Sequence, residues 1–171
     1  DDLRGELDME QEFSEAAYPA LVAGKLKRER FAVVELGDVP DDGVDDTADD
    51  AIDAAEQGGA ELASVSSITL PVDVRTLADA AGGSFKGAGR DPEQAERLGQ
   101  LIGARLPGGG DLIDEIKPDL FSRFNGSLDD VGLLILICNP VEDLGSNEEK
   151  INEAFESGLI EGARRSADGT V

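Results

Sequence analysis

The 171-residue sequence contains no histidine and no tryptophan, and Cys138, Met9 and Tyr18 are each the only residue of their kind. Without an imidazole neither a Ser-His-Asp triad nor a Cys-His dyad can be assembled, and structural zinc sites need several Cys or His ligands at short spacing. A single cysteine makes no intramolecular disulfide, which fits a reducing compartment and an exported domain without staples equally well. Positive charge is scarce as well: 15 Lys and Arg against 38 Asp and Glu leave a formal net charge of −23. A field of that sign repels phosphate backbones and anionic lipid surfaces, which argues against nucleic acid as a partner. Long apolar runs are missing too. The longest, residues 131–138, falls far short of the ~20 residues a membrane-spanning helix needs, and the opening Asp1-Asp2-Leu3-Arg4 is no signal peptide. Any membrane anchor is therefore expected outside this chain.

What remains is enough for one hydrophobic core. Apolar residues make up 40% of the chain, and a length of 171 residues suits one domain or a domain with a short arm. Residues 1–26 read as a thinly striped helix, with Leu3, Leu7 and Phe13 among few apolar positions. A helix that polar is marginal alone, so it is expected to be a coiled-coil or docking arm, with residues 27–171 as an α/β domain. The basic residues Lys25, Lys27, Arg28 and Arg30 cluster where arm meets body. Their first reading is a solvated helix end, and their second a surface for a partner or for a second copy of the chain.

In the body, residues 31–36 form a short apolar run ended by Gly37, the pattern of a buried strand. A helix is expected over 44–57, stopped by Gly58 and Gly59, then a strand over 60–70 ended by Pro71. Strand, helix and strand in that order make a βαβ unit with a right-handed crossover. Helices follow over 73–81, from the Asp91-Pro92 start to Leu106, and over 112–121 with an interruption at Pro118. The run 131–138 is apolar on both faces, the pattern of a central parallel strand covered by helices. Ser146 and Glu149 form a capping box that opens a helix over 147–165. Thr170 and Val171 are β-formers, so a further strand is expected there and the domain reads as cut short. The fold class expected is α/β: a small three-layer sandwich with a mainly parallel sheet and an N-terminal coiled-coil-like helix.

Candidate chemistry is sparse. The glycine-rich loop 82–90 holds Lys86 and Arg90 but matches neither phosphate-binding fingerprint and follows a helix, so it reads as surface loop. The aspartates from Asp38 to Asp53 suggest calcium, yet Pro40 occupies the third position of the EF-hand pattern, so they read as a solvated helix face. Open α/β sheets bind ligands beyond the carboxyl ends of their strands, which here means Gly37 and Asp38 after the first strand and Asn139 and Pro140 after the last, with Pro71 and Asp73 after the second. Cys138 is the only nucleophile nearby and reads as a small buried hydrophobe.

Residues 20–36, the acidic helix after them, and the Gly58-Gly59-Ala60 opening of a strand that ends in Thr69 and Leu70 together resemble the MctB family. These are the so-called copper transporters of actinobacterial cell envelopes, which include the septal protein SteB. The resemblance implies a longer protein with an N-terminal membrane anchor, a coiled coil and this extracytoplasmic domain. Copper(I) selects thiolate, thioether and imidazole, however, and the whole supply here is Cys138 and Met9. A pore fares no better, because a membrane barrel needs many alternating ~10-residue strands. The expectation is a non-enzymatic envelope domain, without cofactor or metal, that forms a homodimer and binds envelope or cell-division partners. The alternatives are a component of copper efflux or tolerance, as the family name implies, and a small-ligand-binding α/β domain using the loops at Asp38 and Asn139.

Overall fold

In the computed structural model the described residues are 26–37, 46–139 and 146–166. They form a mixed α/β fold around a four-stranded sheet of β1 (Arg30–Leu36), β2 (Glu61–Ile68), β3 (Arg123–Gly126) and β4 (Leu133–Cys138), in the order β3-β2-β1-β4. β1 pairs in parallel with β2 and with β4, and β3 is antiparallel to β2. The five helices are α1 (Asp46–Gln57), α2 (Val74–Ala81), α3 (Pro92–Arg105), α4 (Asp111–Leu120) and α5 (Ser146–Ser166).

β1 is the middle of the molecule because its sequence is apolar on both faces: six of its seven residues are buried. Phe31 and Val33 point to one side, where they meet Ala48 and Ala55 of α1. Ala32, Val34 and Leu36 point to the other, into the larger core built from Leu77, Leu98, Ile113, Ile116, Phe155 and Leu159 of α2 to α5. One helix therefore covers the first face and four cover the second.

Two corrections to the sequence reading concern β4 and Pro118. Among the described residues β4 is an edge strand with β1 as its single neighbour, not a central one. Apolar side chains on both faces report cover above and below, which β4 has in part; they carry no information about lateral neighbours. α4 runs through Pro118 without interruption, because the proline lies in the last turn, exposed, where only one helical N–H is forfeited.

The tightest contact in the fold lies between α3 and α5. Gly99 and Gly103 on α3 face Gly158 and Gly162 on α5, and a methyl on any of them would collide with backbone of the other helix: Phe155 O, Leu159 O, Glu96 O and Gln100 O respectively. Each helix carries two glycines four residues apart, which places them on one face one turn apart. The backbones approach as closely as they do because nothing stands between them.

The arm stripe of Leu3, Leu7 and Phe13 lies outside the described residues, as do Lys25 and the strand expected at Thr170 and Val171. Among the described residues no helix is long and apolar enough to cross a membrane.

Candidate functional site

The carboxyl ends of the parallel strands converge at the point where the strand order reverses, between β1 and β4. Gly37 and Asn139 meet there. Gly37 donates its N–H to Ile68 O at 3.0 Å, and Asn139 donates its N–H to Leu36 O at 2.7 Å. Gly37 has φ +100°, and a Cβ at this position would run into the carbonyl of Asn139. The residue must be glycine for the two strand ends to touch. Asn139 Nδ2 is buried and without a hydrogen-bond partner. The structure thus brings together two of the four residues expected at this edge; Asp38 and Pro140 lie outside the described residues.

Beside this junction opens a cleft of about 410 Å³ lined by Pro71, Val72, Asp73, Arg75, Glu148 and Asn152 among others. Two of its polar side chains serve the fold. Asn152 Oδ1 accepts the N–H of Val72 at 2.9 Å, and its Nδ2 donates to Glu148 O at 3.2 Å, tying the segment after β2 to the first turn of α5. Asp73 caps α2: its Oδ1 accepts from the N–H groups of Arg75 and Thr76 at 3.1 and 3.2 Å, and its Oδ2 from Thr76 Oγ1 at 2.9 Å. The hydrogen bonds from Thr76, backbone first, hold the Asp73 carboxyl below its ordinary pKa. These are structural duties for Asp73 and Asn152; Arg75 and Glu148 also line the cleft.

Cys138 is exposed at the end of β4, which corrects its reading as a buried hydrophobe. The strand carries it to the end of a groove that it shares with Ile160 of α5. Partial desolvation pushes its thiol pKa up, and the charge of Glu156 adds to the effect, so the thiolate that metals and electrophiles require is disfavoured. Among the described residues there is no group of three Cys, His, Asp or Glu side chains placed to hold a metal ion.

Of the basic cluster, Lys27 and Arg28 lie in a turn and Arg30 opens β1, while Lys25 lies outside the described residues. Leu26 donates its N–H to Gly58 O at 3.0 Å, and Lys27 and Arg28 are exposed, with Arg28 at φ 76°. Arg30 is half-buried at the start of β1 and donates from Nη1 to Asp129 O at 2.7 Å.

Sequence reasoning missed Glu35, a carboxyl with no exposure one residue before the end of β1. Ser67 Oγ on β2 donates to its Oε2 at 3.0 Å. The signal was present: one acid in an otherwise apolar run that is buried on both faces.

No family model, no curated protein and no solved structure matches this chain.

Proposed function

We propose that this chain is a non-enzymatic extracytoplasmic domain of a membrane-anchored cell-envelope protein of the MctB and SteB type, working through self-association and the binding of envelope or division partners. The observation that carries the binding role is the division of labour on the body. Asp73 and Asn152 beside the strand ends are engaged in a helix cap and backbone ties, while β4, which among the described residues pairs on one side only, leaves Leu133, Ile135, Leu136 and Ile137 half-buried. Envelope location and the anchor rest on the resemblance of residues 20–70 to that family.

Sedimentation of the full chain at tens of micromolar tests the reading, with a dimer expected. A monomer at those concentrations removes self-association from it. Calorimetric titration with copper(I) is expected to show no stoichiometric uptake; binding that disappears in Cys138→Ser would replace this reading with copper handling.

A further inference from the structure

The cleft of about 410 Å³ beyond the carboxyl end of β2 holds two charged side chains that the fold does not use. Arg75 stands in the first turn of α2 and Glu148 in the first turn of α5; both line the opening and both are exposed. Among the described residues neither side chain makes a hydrogen bond or an ion pair, so the two opposite charges share one cleft yet stand too far apart to pair. Asp73, two residues before Arg75, does not take up the guanidinium. It spends its oxygens on the cap of α2, and the pull of Arg75 is the least of the influences on its carboxyl.

The walls that carry these charges are fixed. Arg75 lies against Gly89, where its Cβ and Nε are 3.2 and 3.5 Å from the place a methyl would occupy, so the loop before α3 backs the arginine closely. Asn152 ties the opposite wall to the floor, bonding the N–H of Val72 with one end of its amide and the carbonyl of Glu148 with the other. The floor is apolar, lined by Val72, Val74 and Ile151, all buried. A cavity of this size suits a small ligand, and the charges select its kind. An anion would meet Glu148 and the chain's surplus of negative charge, and a cation would meet Arg75. A molecule that carries both charges finds a partner at each end.

We propose that this cleft binds a small zwitterion, an amino acid or dipeptide with an apolar side chain, whose carboxylate sits on the Arg75 guanidinium and whose ammonium sits on the Glu148 carboxylate. The planar fork of arginine matches a carboxylate with two parallel N–H···O bonds, and the Glu148 oxygens accept from the ammonium. The ligand's side chain lies over Val72 and Ile151. The gap between the two charges sets the length of the ligand, so leucine and leucyl-leucine are the two sources to be told apart. The site uses neither β4 nor the arm and stands independently of the self-association reading.

The test is calorimetric titration of the full chain with leucine and with leucyl-leucine at millimolar concentration, with circular dichroism melting as the check that each variant folds. Saturable binding is expected, and the tighter of the two ligands reports the gap between the charges. Arg75→Gln and Glu148→Gln, both at exposed positions outside the core, are each expected to weaken that binding by about tenfold. The N-acetyl form of the tighter ligand, which has no ammonium, is expected to bind about tenfold more weakly and to be indifferent to Glu148→Gln. Its amide, which has no carboxylate, is expected to be weakened alike and to be indifferent to Arg75→Gln. No saturable heat with either zwitterion would overturn the inference, as would binding that survives either substitution unchanged or N-acetyl and amide forms that bind as well as the parent.

Discussion

Asp73 shows how much a single carboxylate does at the mouth of the cleft. It takes three hydrogen bonds from the first turn of α2, and those bonds lower its pKa in the folded chain. Replacing a side-chain cap of this kind by alanine costs about 1 kcal/mol, so Asp73→Ala is expected to lower the urea unfolding free energy by that amount at pH 7. The sign of its pH dependence follows from the lowered folded value. The unfolded chain binds the proton more readily, so the contribution is complete above the ordinary carboxylate pKa and fades as pH falls through the lower folded one. The gap between wild type and Asp73→Ala is therefore expected to close in acid; a gap that stays constant down to pH 2 would show that the charge is irrelevant to the cap.

At the scale of elements the decisive contact is the glycine face between α3 and α5. Alanine normally favours a helix over glycine by about 1 kcal/mol, so Gly→Ala in an exposed helix stabilises. Here the added methyl would strike carbonyl oxygens of the facing helix, backbone that cannot swing aside. Overpacking of this kind costs about 1–3 kcal/mol. Gly103→Ala and Gly158→Ala are expected to be destabilised by about 2 kcal/mol in urea melts, whereas Gly83→Ala, with nothing within 4 Å of the added carbon, is expected to change stability little.

This contact also shows what sequence reading captures and what escapes it. Periodicity located β1, β2 and all five helices, because each has a run of apolar residues bounded by Gly, Pro or a capping side chain. It passed over the helix glycines, since glycine registers as a cost until a second helix is known to need the space; the repeated spacing of four in both helices was the available signal. β3 was illegible because Arg-Phe-Asn-Gly has neither length nor alternation. It is a strand by virtue of β2 alongside, with Ser122 and Ser127 donating backbone N–H groups to Ser67 O and Ala63 O at either end. At the candidate site the sequence placed Gly37 and Asn139 at the same edge of the sheet, but their contact depends on β1 and β4 being neighbours, which the sequence does not state. The role of Asp73 as a cap was readable only in part, since the same residue also stood at the expected ligand edge.

For the whole molecule the dominant quantity is charge. A net −23 on a chain of this size opposes its own compaction, and ion pairs such as Lys117–Asp114 and Arg165–Glu161 are local and partly solvated, so they do little against it. Added salt shortens the screening length from about 10 Å at 0.1 M to about 3 Å at 1 M. The thermal midpoint is accordingly expected to rise between 20 mM and 500 mM sodium chloride, and a midpoint that falls would mean that attractive pairs outweigh the repulsion.

The position of β1 has a consequence for how the chain is made. Its neighbours are β2, about thirty residues later, and β4, about a hundred residues later, and the larger core is finished only when α5 docks its glycines on α3. A ribosome delivers these pieces in order. While residues 31–36 wait for their second partner, the most buried strand of the sheet has one open side and an incomplete roof. Closure is thus a late event of synthesis, and the growing chain depends on its surplus of negative charge to keep unfinished copies apart until the last helix arrives.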